Sequence, residues 1–222
     1  MELKKPKFWD SKKTNILSIL LLPFTIILTI NNFLINSSKK NKNKNVKTIC
    51  VGNIYVGGTG KTPTAIKLYE ILKKHNFNIS VGKKFYKSHA DEQKILDQKT
   101  NLITAKSRDE ILKIAEKNKK DIVIFDDGLQ EKKIDYDLKL VCFDSEKWIG
   151  NGLLIPSGPL RENLISLNKY NAVLIKQDMD NNINENIADK IKEINPQIRI
   201  FYTYYKPTNL QNFDLSKKFL IF

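Results

Sequence analysis

Tyr55-Val-Gly-Gly-Thr-Gly-Lys-Thr62 decides how this chain folds. The stretch reads as a phosphate-binding loop. An apolar, β-branched run over 46–51 precedes it, and a helical period over 64–74 follows it. Strand, glycine loop and helix are the setting such a loop requires. Its glycines let backbone N–H groups curl around phosphate oxygens. The helix that starts near Thr62 adds free N–H groups and a positive dipole end. Lys61 can reach the outer phosphates, and the Thr62 hydroxyl can bind Mg²⁺. The pattern G-x-x-x-x-G-K-[ST] departs at its first position, where Tyr55 stands in place of glycine. Gly57-Gly58 is expected to supply the flexibility instead, with Val56 and Thr59 completing the loop.

Working outward, strands and helices alternate. Strands are expected at 46–51, 78–81, 101–104, 121–125, 138–143, 172–176 and 198–205. Helices are expected at 64–75, 91–98, 108–117 and 183–194. That alternation implies an α/β fold, a mostly parallel sheet with helices on both faces. At 222 residues and 41% apolar content the chain can bury a substantial core. The expected organisation is an N-terminal membrane-associated helix over 1–38, a P-loop core over 39–145, and the start of a second α/β domain over 146–222. The chain stops at Lys217-Lys-Phe-Leu-Ile-Phe222, a strand beginning with no helix after it, so further C-terminal sequence is expected.

Residues 1–13 carry five lysines, and no charge occurs from 14 to 38. The run 16–34 is mostly Ile, Leu, Phe and Thr, with Pro23 inside and Asn31 and Asn32 near its end. Its length suits a bilayer. Lysines on both sides suit an anionic cytoplasmic surface. A cleaved signal peptide fits poorly, because a P-loop needs cytosolic nucleotide. A buried helix of a soluble domain competes with a membrane anchor, dipping or spanning. The anchor is the expectation here.

The formal net charge is +14, which points to polyanionic company. Lys, Asn and Ile are abundant throughout, so part of that charge is compositional. No aromatic–basic recognition pattern accompanies it, and nucleic acid is not expected as a partner. Cys50 and Cys142 lack metal or redox spacing and read as core thiols.

Three further stretches carry candidate chemistry. In Asp121-Ile-Val-Ile-Phe-Asp-Asp-Gly-Leu-Gln130, an apolar strand ends in carboxylates. Downstream of a P-loop this reads as a Walker B element, with Asp126 or Asp127 on Mg²⁺. Alone, an Asp-Gly turn is an equal reading. In Asn151-Gly-Leu-Leu-Ile-Pro-Ser-Gly-Pro-Leu-Arg-Glu162, Arg161 can clamp a phosphate and Glu162 can join a metal shell. An ordinary loop is the plainer reading there. In His89-Ala-Asp-Glu92, Asp91 or Glu92 can accept a proton from an attacking hydroxyl. A capped helix start is the plainer reading of these residues.

Taken together, these stretches resemble the tetraacyldisaccharide 4'-kinase family. The resemblance rests on Val51-Gly-Asn-Ile-Tyr-Val-Gly-Gly-Thr-Gly-Lys-Thr-Pro63, Asp126-Asp-Gly-Leu-Gln130 and Gly150 to Glu162. A missing first loop glycine is also a habit of that family. The resemblance implies a monomeric kinase at the cytoplasmic face of the bacterial inner membrane, using ATP and Mg²⁺. It would phosphorylate the 4'-hydroxyl of a lipid A precursor, tetraacyldisaccharide 1-phosphate, to give lipid IVA.

By position, the resemblance implies Lys61 and Asp91 as catalytic residues and 55–62 as the ATP loop. It implies Thr62, Glu92, Asp126 and Asp127 at the metal. Tyr86, Gln130, Arg161 and Glu162 would contact substrate or phosphate. Anionic membrane lipid and the acyl chains would meet the N-terminal helix. The family carries an Arg-Gly-Tyr-Gly-type segment where this chain has Val81-Gly-Lys-Lys-Phe-Tyr86, so Tyr86 stands in for the family tyrosine. The family has a basic residue or His where this chain has Glu131. Its members continue for roughly another hundred residues, the size of one more domain layer. That tail carries a histidine partner for the catalytic aspartate. A membrane-anchored P-loop ATPase or nucleotide switch is the alternative, and a non-catalytic basic binding module is a third.

Overall fold

The computed structural model describes residues 5–11, 14–35, 45–86, 90–131, 133–178 and 185–206. Its centre is a parallel sheet of seven strands in the order β3-β2-β4-β1-β5-β6-β7. The strands are β1 Lys47–Gly52, β2 Ile79–Lys84, β3 Leu102–Ala105, β4 Ile122–Asp126, β5 Leu138–Asp144, β6 Ala172–Lys176 and β7 Arg199–Thr203. The helices are α1 Ile16–Ile35, α2 Lys61–Lys74, α3 Ala90–Lys99, α4 Arg108–Lys117 and α5 Glu185–Ile194. His89, and the chain from 207 onward, lie outside the described residues.

Both faces of the sheet are covered, which is why its central strands read as near-continuous apolar runs. Side chains alternate across it. Val51, Val81 and Ile124 meet Ala65 and Tyr69 of α2 and Leu96 of α3 on one face. Cys50, Val123 and Phe125 meet Ile111, Leu112 and Ala115 of α4 on the other. Val141, Phe143, Val173 and Ile175 form a third cluster with Ile187 and Ile191 of α5. Cys50 and Cys142 are buried and free, as core thiols should be.

Two expectations change. First, 146–206 does not open a separate sheet. β6 pairs with β5 and β7 with β6, both parallel and in register, so these strands extend the sheet that β1 begins. Periodicity predicts strands but not which neighbour each one finds.

Second, among the described residues no helix is long and apolar enough to cross a membrane. The helix α1 instead lies on the protein with Ser18 and Thr25 turned inward. Ser18 accepts a 3.0 Å hydrogen bond from Asn151 Nδ2. The Thr25 and Ser157 hydroxyls are 2.7 Å apart. Ile16, Leu20, Phe24 and Ile27 are exposed.

The chain leaves β1 toward β2 and β3 and, after β4, crosses to β5 on the other side of β1. In a parallel sheet, ligands bind beyond the carboxyl ends of the strands at such a reversal. The loop 53–60 emerges there.

Candidate active site

The loop after β1 is shaped by two glycines in the left-handed region, Gly57 at φ +136° and Gly60 at φ +82°, where a side chain would be strained. Gly60 caps α2, so Lys61 and Thr62 occupy its first turn. Asn53 braces the loop from inside, donating to the Gly57 carbonyl at 3.1 Å and to the Thr59 hydroxyl at 3.0 Å.

Tyr55 does not line the cleft that Lys61 and Asp126 share, and its ring packs beside Gly57. Its side chain is fully buried, and its hydroxyl bonds to Asp10 and Lys5 of the N-terminal segment. Its backbone forms an antiparallel bridge with Leu160. Val56 N donates to Pro159 O at 2.9 Å, and Arg161 N donates to Ile54 O at 2.7 Å. The 151–162 segment is therefore zipped along the entrance of the loop, and this places Arg161 and Glu162.

At the end of β4, Asp126 faces Thr62, whose hydroxyl donates to Oδ2 at 3.0 Å. The next residue, Asp127, is left-handed at φ 62° and turns the chain. Gly128 was the expected turn residue. Its requirement is space instead, because an added Cβ would sit 2.8 Å from the Tyr136 hydroxyl and 2.9 Å from Arg108 Nε.

Arg161 Nη1 donates to both Asp127 oxygens at 3.2 Å and to Gln130 Oε1 at 3.3 Å. Gln130 Nε2 in turn donates to Glu162 at 2.9 Å. Burial pushes the Asp127 carboxyl up, but Lys61, Arg161 and Arg108 outweigh burial and hold it below its ordinary range.

A cleft of about 340 Å³ opens between these elements. Gly57, Gly58, Lys61, Tyr86, Glu92, Asp126, Asp127 and Arg161 line it, and every one of them was a candidate from sequence. Asp91 sits exposed on the first turn of α3, one residue before Glu92, and does not line the cleft.

Lys83, Lys84 and Arg108 also line it and were missed. Lys83 was hidden because the second strand was expected to end at residue 81. A lysine at the carboxyl end of a parallel strand is the signal that would have found it. Arg108 read only as the start of α4. It donates to the Asp127 carbonyl and pairs with Glu131 at 3.3 Å, which gives Glu131 a partner.

The expected metal shell is not assembled as drawn. Glu92 is engaged by Lys83 at 2.6 Å and Asp127 by Arg161, and no cluster of three metal-ligating side chains occurs among the described residues. Thr62 and Asp126 still fit Mg²⁺, a hard cation that takes oxygen donors and keeps several waters. Asp126 Oδ1 is buried and has no hydrogen-bond partner among the described residues. An orphaned carboxylate oxygen of this kind marks an ion or water position.

A parallel sheet with a glycine loop at its reversal, a lysine on the following helix and a carboxylate paired to the loop threonine define a P-loop nucleotide-binding protein. The sequence profile described as Tetraacyldisaccharide-1-P 4'-kinase matches residues 14–219, so the chain belongs to that family. The tetraacyldisaccharide 4'-kinase of Pelagibacter ubique is 48% identical over 222 residues, all of this chain and 70% of that protein. The enzyme of that name in Rickettsia akari is 36% identical over 179 residues, 73% of this chain and 54% of that protein. In fold, the chain resembles LpxK from Aquifex aeolicus, crystallised in complex with ATP. The TM-score is 0.60 at 19% identity, over 90% of this chain and 85% of that one.

Proposed function

We propose that this chain moves the γ-phosphate of ATP to the 4'-hydroxyl of tetraacyldisaccharide 1-phosphate. The observation that carries the reading is convergence. Lys61 and Asp126 come from separate elements and line one cleft with Asp127 and Arg161. Family membership supplies the acceptor.

Phosphoryl transfer asks a protein for positioning and charge neutralisation rather than covalent chemistry. Lys61 and the N–H groups of 57–62 hold the outer phosphates. Arg161 and Arg108 add positive charge on the far side of the cleft, and Gln130, Glu162 and Tyr86 shape the acceptor side. Thr62 and Asp126 would hold Mg²⁺, which supplies a Lewis-acid counter-charge for the phosphate oxygens. Asp91 orients the sugar hydroxyl and accepts its proton as the new O–P bond forms. The bond between the γ-phosphorus and the bridging oxygen breaks, and ADP leaves. For Asp91 to act where α3 holds it, the acceptor has to reach the rim of the cleft.

The substrate's acyl chains account for α1. With Ser18 and Thr25 turned inward, Ile16, Leu20, Phe24 and Ile27 form an outward apolar face beside lysine-rich flanks. An exposed apolar face of this kind marks a membrane or partner contact. We place the protein at the cytoplasmic face of the inner membrane on that ground, as a monomer.

The test is thin-layer separation of lipid product after incubation with γ-labelled ATP. A more phosphorylated disaccharide from the wild-type chain, cut by about 100-fold or more in Lys61→Ala, is the expected result. ATP hydrolysis without labelled lipid would replace this reading with a membrane-bound ATPase or switch.

A further inference from the structure

Lys83 is the feature of the cleft that the reaction above leaves unused. Its side chain is 6% exposed, and its ammonium lies 2.6 Å from Asp126 Oδ2 and 2.6 Å from Glu92 Oε2. Burial alone would push that amine down, yet Asp126 and Glu92 outweigh burial and hold it above its ordinary value. It is a charged group kept inside the fold by two carboxylates.

The strand places it there. Gly82 pairs with Phe125, so Lys83 falls level with Asp126 at the carboxyl end of the sheet. A Cβ at Gly82 would sit 2.8 Å from Ile111 of α4, so the backbone of β2 is pressed against that helix. The next side chain must point to the opposite face, the one carrying α2 and α3. Lys83 therefore meets Thr62's partner on one side and the first turn of α3 on the other.

The helix α3 needs that link. Leu96 is its only buried residue, and Asp91 and Glu92 in its first turn are exposed. Apolar packing fixes the middle of the helix, while the turn bearing Asp91 is tied to the sheet through Glu92 and Lys83, and Gln93 beside it donates to the Tyr86 carbonyl at 3.0 Å.

We propose that Lys83 is a positioning residue: it clamps the first turn of α3 to the phosphate-side carboxylate Asp126 and so sets where Asp91 stands. The inference rests on the kinase reading for the role of Asp91, but the clamp itself does not. Lysine suits the task because one ammonium carries three donors on a single point charge and can bridge two carboxylates.

The test uses the full chain with two variants. Lys83→Met removes the ammonium, whereas Glu92→Ala cuts only the α3 side and leaves Asp126 paired. Amide hydrogen exchange in the nucleotide-free protein is the first readout. Both variants should speed exchange over 91–96 about tenfold or more while β2 and β4 keep wild-type protection. Phosphate transfer is the second. Lys83→Met should lose about 100-fold in kcat, the scale of a misplaced group, with the KM for ATP near wild type, and Lys83→Arg should recover most of it.

Wild-type protection over 91–96 in either variant would overturn the clamp, as would equal loosening of α3 and the strands. Loosened α3 with unchanged transfer would overturn the positioning role. Should the wild-type chain transfer no phosphate, the kinase reading fails and the exchange measurement still decides the clamp.

Discussion

Thr62 Oγ1 donates a 3.0 Å hydrogen bond to Oδ2 of Asp126, tying the first turn of α2 to the end of β4 across 64 residues of sequence. The two oxygen donors proposed for Mg²⁺ are thereby held together by the fold. Loop and carboxylate act as one unit.

Lys61→Ala should reduce transfer of label from ATP to the disaccharide by about 10²–10³-fold, the scale seen when one preorganised charge-stabilising donor is removed. Asp91→Ala should abolish transfer while leaving ATP binding intact, because its proposed partner is the acceptor rather than the phosphates. Normal turnover in either variant would remove that residue from its role.

Gly82→Ala should destabilise the protein by about 1–3 kcal/mol, as overpacking does. The new methyl would meet Ile111 at 2.8 Å, Val123 at 3.1 Å and Phe125 at 3.2 Å, none of which has room to retreat. Urea denaturation gives the difference directly.

Thr25→Val keeps the shape of the α1 side chain but removes the partner of the Ser157 hydroxyl, 2.7 Å away and buried. A cost of about 1–3 kcal/mol is expected for the stranded group. A change below a few tenths of a kcal/mol would show that α1 is not held by this contact.

Replacing Ile16, Leu20, Phe24 and Ile27 together with serine should release the protein from vesicles containing anionic lipid while far-UV circular dichroism stays unchanged. Cosedimentation measures it. Undiminished binding would move the membrane contact away from α1.

Asp144 and Lys176 join the ends of β5 and β6 at 2.9 Å. Burial pushes the Asp144 carboxyl up, but Lys176 and the N–H groups of Lys147 and Glu146 bring it below its ordinary 3.8. A depressed carboxyl stabilises the fold above that value and loses its contribution as pH falls through the folded one. Lys176 is raised above 10.5, first by its hydrogen bond to Asp144, so its share is present below 10.5 and lost as pH rises past its folded value. The stability deficit of Asp144→Asn should be full at pH 7 and close below pH 3.8. A deficit unchanged at low pH would refute the pairing.

Much of this protein was legible without coordinates. The spans 108–117 and 172–176 were read to the residue, and the other elements within a few positions of their ends. The alternation of strands with helices implied a parallel sheet, and the loop before Thr62 located its ligand edge. Lys83 was not legible, because a lysine after a short apolar run reads as a solvated strand end. Nor was the pairing of Arg161 with Asp127, which depends on 151–162 lying along 54–56.

The sequence by itself determined the elements, the phosphate loop and the carboxylate strand, because each is written in local periodicity and in residue types that only certain backbones tolerate. Tertiary structure decided which side chains share the cleft. It buried Lys83 between Asp126 and Glu92, pointed the Tyr55 hydroxyl at Asp10, and set Ser18 and Thr25 of α1 inward. Each of those outcomes depends on which elements pack together and which way side chains point, and neither is fixed by spacing along the chain.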